Sequence, residues 1–224
     1  MPRGMAAIPP VARRARACVA ALWAAIGVSV ANVPADVFGL VAVDRGITAT
    51  TDAEIASANA LLLASDTVDL VAGLALVAGY LTGVVFFLRW FHRGHRILRL
   101  LLPSVRYSPG WAVGSWFVPF VNLVVPKKAS NDLWRAGRRE RLPALINWWW
   151  AVWLLGSLVD IAVVSGWGWL SAETLEDYRT AYMTDMTSSV QIIVAGVLTV
   201  AVVRRTTIRL ETLRSQHEGG EVDT

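Results

Sequence analysis

The chain has one cysteine, Cys18, in 224 residues. That excludes an internal disulfide and any multi-cysteine metal site. Cys18 also lacks the apolar run just before it that a lipoprotein signal would carry, so it reads as a small residue in a helix. Histidine is scarce too, with three in all. No HExxH, no G-x-S-x-G, no phosphate-binding loop and no Cys/His metal spacing occurs. His92 and His95 lie three apart, but among arginines, which is an adverse setting for a cation. Two solvated histidines on a surface helix are expected there. The sequence therefore points to no enzyme, no catalytic residue, no cofactor and no metal. Acids are missing from whole stretches. Residues 1–16 hold Arg3, Arg13, Arg14 and Arg16 without one, and residues 91–108 hold Arg93, Arg96, Arg99 and Arg106 without one.

What is abundant is apolar. Hydrophobic residues make up 55% of the chain and the mean hydropathy is +0.49. A soluble domain of this size has roughly 45–50%. Most of the 11 tryptophans stand at the ends of the apolar runs. Interfacial belts place Trp there, because the ring is apolar and its N–H wants a wet partner. The net charge of +4 is segregated by loop, a pattern of membrane topology rather than of a nucleic-acid binder.

The fold expected is all-α: a polytopic membrane helix bundle with four transmembrane spans in two hairpins. The spans fall at about 17–43, 67–90, 144–164 and 189–203, the first long enough for about 30 Å of hydrocarbon. Pro34 is expected to kink the first. Thr51 to Glu54 matches a capping box that starts the helix leading into the second. Gly79 and Gly83 on that span suit close helix contact. Arg93, Arg96 and Arg99 share a face of what reads as a short amphipathic helix over 91–108, on anionic lipid or simply in a basic loop. In domain terms, 1–16 is a basic N-terminus in which the prolines oppose a helix. Residues 17–203 form one transmembrane domain, and 204–224 a tail, polar and disordered after Arg214.

Residues 107–135 organise the rest. The segment 109–126 is apolar but carries Pro109, Pro119 and Pro126 and a polar Asn122. The N-terminus, both flanks of this segment and the start of the tail are basic, whereas 44–66 and 168–187 are acidic. The positive-inside rule puts the basic pieces in the cytoplasm, and four spans satisfy it with both termini inside. A crossing at 109–126 would turn one basic flank outward. The segment is therefore expected to be re-entrant, entering from the cytoplasmic side and returning; five or six spans are the alternative. Pro119 frees a carbonyl mid-segment, and broken backbone at membrane depth needs protein or a wet cavity beside it. Asn122 is expected to satisfy that break.

Asp160 lies inside the third run on its outer half. A carboxylate in hydrocarbon costs at least about 2.5–3.5 kcal/mol, so it should face the bundle interior, with Gln191, Asp69, Asp36 and Tyr80 as partners. A neutral carboxyl that fixes packing is the favoured reading, and a proton or cation site in an outward vestibule the other. Asn131, Asp132 and Trp134 are expected to dock the next helix, and Arg135 to pair with Asp132 or with lipid phosphate.

The stretches at 86–93, 108–136 and 148–153 resemble a bacterial membrane family, domain of unknown function 4328. The resemblance covers roughly 80–165. It rests on Trp90, Arg93, Ser108, Pro109, Gly110, Trp111, Trp116, Phe117, Pro119, Asn122, Leu123, Pro126, Leu133, Trp134 and Arg135. Where that family often has an Asn after its Trp-x-x-Arg, this chain has Ile97. The resemblance implies a multi-pass protein of the bacterial cell membrane and no activity. The function expected is a non-enzymatic scaffold or regulator that meets anionic membrane lipid or a protein partner through Arg93, Arg96, Arg99, Arg138 and Arg139, with a homo-oligomer as the other assembly expected. Nucleic acid is not an expected partner. A small channel or transporter using the broken segment and the intramembrane acid is the alternative.

Overall fold

The computed structural model describes residues 11–102, 104–136, 144–162 and 172–220; the side chains of 159–162, 219 and 220 lie outside that description. The described residues are helical without a strand: α1 Ala12–Thr48, α2 Asp52–Leu101, α3 Pro109–Gly114, a 3-10 turn at Val121–Leu123, α4 Val125–Arg135, α5 Ala144–Ala162 and α6 Leu175–Gly220. Among them α1, α2 and α6 are long and apolar enough to cross a membrane, and α5 has a shorter apolar stretch, Ala144–Leu158.

The starts of the long helices have local causes. At α2 the expected capping box forms: Glu54 N–H donates to Thr51 Oγ1 at 3.3 Å, and Thr50 and Thr51 N–H donate to Glu54 Oε2 at 3.0 Å each. Those backbone bonds pull the exposed Glu54 carboxyl down to about 2. Thr174 and Asp177 repeat the device at α6, with Thr174 N–H to Asp177 Oδ2 at 2.9 Å and Asp177 N–H to Thr174 Oγ1 at 3.2 Å. The S/T-x-x-D spacing marks this start in the sequence, and the helix that carries the span expected at 189–203 begins at Leu175. At α1 the cap is tertiary: Ala12 N–H donates to Glu211 Oε1 of α6 at 3.0 Å. This corrects the expected N-terminus, since Arg13, Arg14 and Arg16 are helical.

Two other boundaries differ from expectation. No separate helix covers 91–101, because α2 runs on through it to Leu101; the first proline after the span is Pro103. The tail is helical to Gly220, supported by Arg214 paired with Glu211 at 3.2 Å and Glu218 at 3.3 Å. α1 continues through Pro34.

The centre is broken as its prolines require. Ser108 Oγ accepts from Trp111 N–H at 3.2 Å and Pro109 opens α3, which ends after 6 residues. The chain then bends through Pro119, and Phe120 sits at φ 61°, a conformation rare for a residue with a side chain. Pro126 lies in the first turn of α4, where its missing N–H costs nothing.

The chain divides into two compact units. Unit 1 comprises 1–22, 83–150 and 198–224, and unit 2 comprises 23–82 and 151–197. Unit 1 has an aromatic core. Trp116 meets Phe87 edge-on at 5.6 Å, Phe91 at 6.1 Å, Trp149 at 6.4 Å and Trp150 at 6.1 Å. Trp90 Nε1 donates to Thr207 Oγ1 at 3.0 Å and Trp149 Nε1 to Thr199 Oγ1 at 2.9 Å. Trp90, Trp149 and Trp150 are thus buried in the core of unit 1; threonines of α6 supply Trp90 and Trp149 with the polar partner that water would have supplied. Their neighbour Trp148 is exposed. Unit 2 packs on glycines. A Cβ at Gly79 would stand 3.5 Å from Ala25 Cα of α1, so the close helix contact expected there is present. Gly39 and Gly156 leave the room that Tyr182 and Gln191 fill.

Candidate functional site

In unit 1 the motif side chains have three kinds of surroundings. Trp90 and Trp116 belong to the aromatic core. Trp134 is buried, with the Arg209 guanidinium 4.4 Å above its ring, and Leu133 packs where Gly94 leaves space, 3.2 Å from the Cβ position there. Pro109, Gly110 and Trp111 make the capped start of α3, with Trp111 half exposed. Pro126 is buried and Arg93 partly buried. Pro119 is exposed in the bend. Asn122 was expected to satisfy the freed backbone, but its side chain makes no hydrogen bond among the described residues; Asn122 N–H itself bonds to Val118 O at 3.0 Å.

His95 corrects the expectation of a solvated histidine. It has no exposure and meets the Phe91 ring edge-on at 4.8 Å, with Leu133 and Leu210 against the neighbouring Gly94. Among the described residues neither ring nitrogen has a hydrogen-bond partner of good geometry. It lies five residues beyond the apolar stretch that ends at Trp90. Burial outweighs the adjacent Ala129 backbone and pushes His95 down to about 4, so it is neutral at pH 7. The signal for this in the sequence was the apolar spacing of Phe91, Leu98 and Ile97 around it.

A cavity of about 340 Å³ opens in the same unit, lined by Leu98, Leu102, Ser104, Val105, Arg106, Asp132 and Arg135. Arg135 and Asp132 form no ion pair. Asp132 Oδ2 is buried without a partner among the described residues. Burial raises the Asp132 pKa, against the opposing pull of Arg135 and Arg106. Asn131 Oδ1 is likewise unpartnered, so docking of α4 falls to Leu133 and Trp134.

Unit 2 holds a second cavity of about 300 Å³, lined by Asn32, Asp36, Asp69, Gly73, Leu76 and Asp185. Asp36 is 3% exposed and accepts from Asn32 Nδ2 at 3.0 and 3.1 Å. Tyr182 Oη donates to Asp69 Oδ2. Asp36 and Asp69, expected as partners of Asp160, both line this cavity. Asn32 and Asp185 were missed, although Asn32 and Asp36, four apart in an apolar run, mark one helix face. Gln191 instead donates to Val152 O at 3.4 Å, and Tyr80 is 57% exposed. The Asp160 side chain lies outside the described residues, as do Arg138 and Arg139. No group of three or more His, Cys, Asp or Glu side chains is placed to hold a metal ion among the described residues.

Charge follows the units. Counting described side chains alone, unit 1 has 15 bases against three acids, Asp132, Glu211 and Glu218, and unit 2 has 10 acids against two bases, Arg45 and Arg179. The exposed apolar side chains are equally uneven. Only 11% of the most apolar stretch of α2 is buried, and in the broken segment Phe117 is 69% and Phe120 85% exposed. Exposed apolar side chains in such numbers mark contact with lipid or another protein.

Residues 53–208 match the family described as domain of unknown function (DUF4328). Neither a curated protein nor a solved structure matches the chain.

Proposed function

This chain belongs to the DUF4328 family, and we propose that it is a non-enzymatic, multi-pass protein of the bacterial cell membrane that holds phospholipid phosphate groups on a basic cytoplasmic surface. The observation that carries this reading is the charge of unit 1, where Arg13, Arg14, Arg96, Arg99, Lys128, Arg204 and Arg205 are exposed. The positive-inside rule assigns such a surface to the cytoplasm, and basic side chains near anionic lipid are worth about 1 kcal/mol each. In this reading α1, α2, α5 and α6 are the four spans and both termini are cytoplasmic. α5 has 19 residues, a rise of about 28 Å. The broken segment dips in from the cytoplasmic side, with Phe117 and Phe120 in the acyl region.

The test is purification of the full chain in nanodiscs, with native mass spectrometry of what is retained. Retained anionic phospholipid that falls several-fold in the Arg96→Gln/Arg99→Gln protein is the expected result. A stoichiometric protein partner, with lipid retention indifferent to the arginines, would replace lipid by a partner.

One observation favours a second reading, transport of a small cation or proton. Asn32, Asp36, Asp69 and Asp185 line one cavity on apolar helices, and ionisable groups there often mark an ion path. Proton or Na⁺ flux into proteoliposomes that disappears in Asp36→Asn would establish it. No flux above protein-free vesicles would remove it.

A further inference from the structure

The cavity beside α4 has an unusual donor and acceptor set. Arg106 and Arg135 bring two guanidiniums, Ser104 a hydroxyl, and Asp132 a carboxylate whose Oδ2 is buried and unpartnered. Leu98, Leu102 and Val105 supply an apolar wall. The two cations make no ion pair with the acid, yet both act on its charge. All three line one cavity, so a ligand there meets both cations and the acid. Its volume of about 340 Å³ lies at the small end of ligand pockets, which run about 300–1,000 Å³.

Each component asks for a different part of a ligand. Guanidiniums bind phosphate oxygens through paired N–H donors. A buried carboxylate oxygen without a partner wants an N–H donor, best a charged one. An apolar wall beside them suits a glycerol or acyl chain. A simple anion would satisfy the arginines and repel Asp132. A choline group carries positive charge but no N–H, and would leave Oδ2 unsatisfied. We propose that this cavity binds an aminophosphate group, a phosphodiester carrying a primary ammonium, as in the ethanolamine headgroup of a phospholipid. The phosphate sits on Arg106 and Arg135, and the ammonium donates to Asp132 Oδ2. The proposal rests on the reading that unit 1 meets membrane headgroups.

The experiment is competitive retention by the full-length protein in nanodiscs made from equal parts of ethanolamine, glycerol and choline phospholipids. The wild type is expected to retain the ethanolamine lipid roughly tenfold over the choline lipid, beside the glycerol lipid that the basic surface holds. Asp132→Asn should abolish that preference while glycerol lipid is retained as before or better. Arg135→Gln should lower both. Asp132→Glu keeps the carboxylate and should keep the preference, which guards against a variant that merely misfolds; tryptophan fluorescence checks each protein. An ethanolamine-to-glycerol ratio unchanged in Asp132→Asn overturns the proposal. So does displacement of the lipid by equimolar O-phosphoethanolamine or inorganic phosphate, which would make the ligand a soluble one. A co-purified acidic peptide in the cavity overturns it as well. Retention of anionic lipid without any ethanolamine preference would sink this pocket assignment and leave the basic surface standing. No phospholipid retained at all would sink that broader reading.

Discussion

Single side chains decide most of what is unusual in unit 1. His95 is held neutral by burial. Its folded pKa of about 4 lies below the usual value of about 6.5, so the unfolded chain binds the extra proton first. The stability that this neutral ring contributes is complete above about pH 6.5 and is lost as pH falls toward 4, a loss of roughly 3 kcal/mol. The thermal midpoint in detergent should therefore drop between pH 6.5 and 4.5 more steeply in the wild type than in His95→Leu; parallel profiles would mean that His95 is not neutral in the fold. Trp149, 2% exposed, ring-packed and bonded to Thr199, predicts a second outcome. Trp149→Ala should cost about 3–5 kcal/mol in denaturant unfolding, whereas Trp148→Ala, at an exposed position, should cost far less. The sequence marked all these tryptophans as membrane-belt residues. It could not reveal that the N–H groups of Trp149 and Trp90 find threonines 50 and 117 residues away, because hydroxyls of α6 look the same in sequence whether they face water or an indole.

Helix elements were legible wherever their signals are local. Thr51 and Glu54 announce the start of α2, and the prolines between 109 and 126 announce the break. What the sequence did not yield is how far the helices continue. Residues 91–101 and 204–220 are polar, and polar helix looks like loop until its partners are known. Those partners are long-range: Leu133 and Leu210 around Gly94, and Glu211 capping Ala12. Gly94 tests this directly. Gly94→Val puts a branched side chain where the nearest atom of Leu133 is 3.2 Å from the Cβ position. It should cost about 1–3 kcal/mol and raise protease sensitivity across α4, because overpacking forces neighbours off their rotamers. Gly110→Ala, with open space around its Cβ position, is the matched control and should stay within about 0.5 kcal/mol.

At the scale of the molecule the two units differ in sign: unit 1 is basic and unit 2 acidic. That segregation was visible loop by loop in the sequence, and the fold gathers it into units. The cavities were less visible, since Asp36, Asp69 and Asp185 come from three helices and only packing brings them together. In the proposed topology unit 1 carries the cytoplasmic surface, and the broken segment leaves and returns on that side. Single cysteines at Ser108 and Lys128, in a chain whose buried Cys18 is replaced by alanine, test it most directly with a membrane-impermeant thiol reagent on sealed cells and on inverted vesicles. Both positions are predicted to react in inverted vesicles and neither in sealed cells; reaction of one from each side would mean that the segment crosses the membrane and would contradict the account.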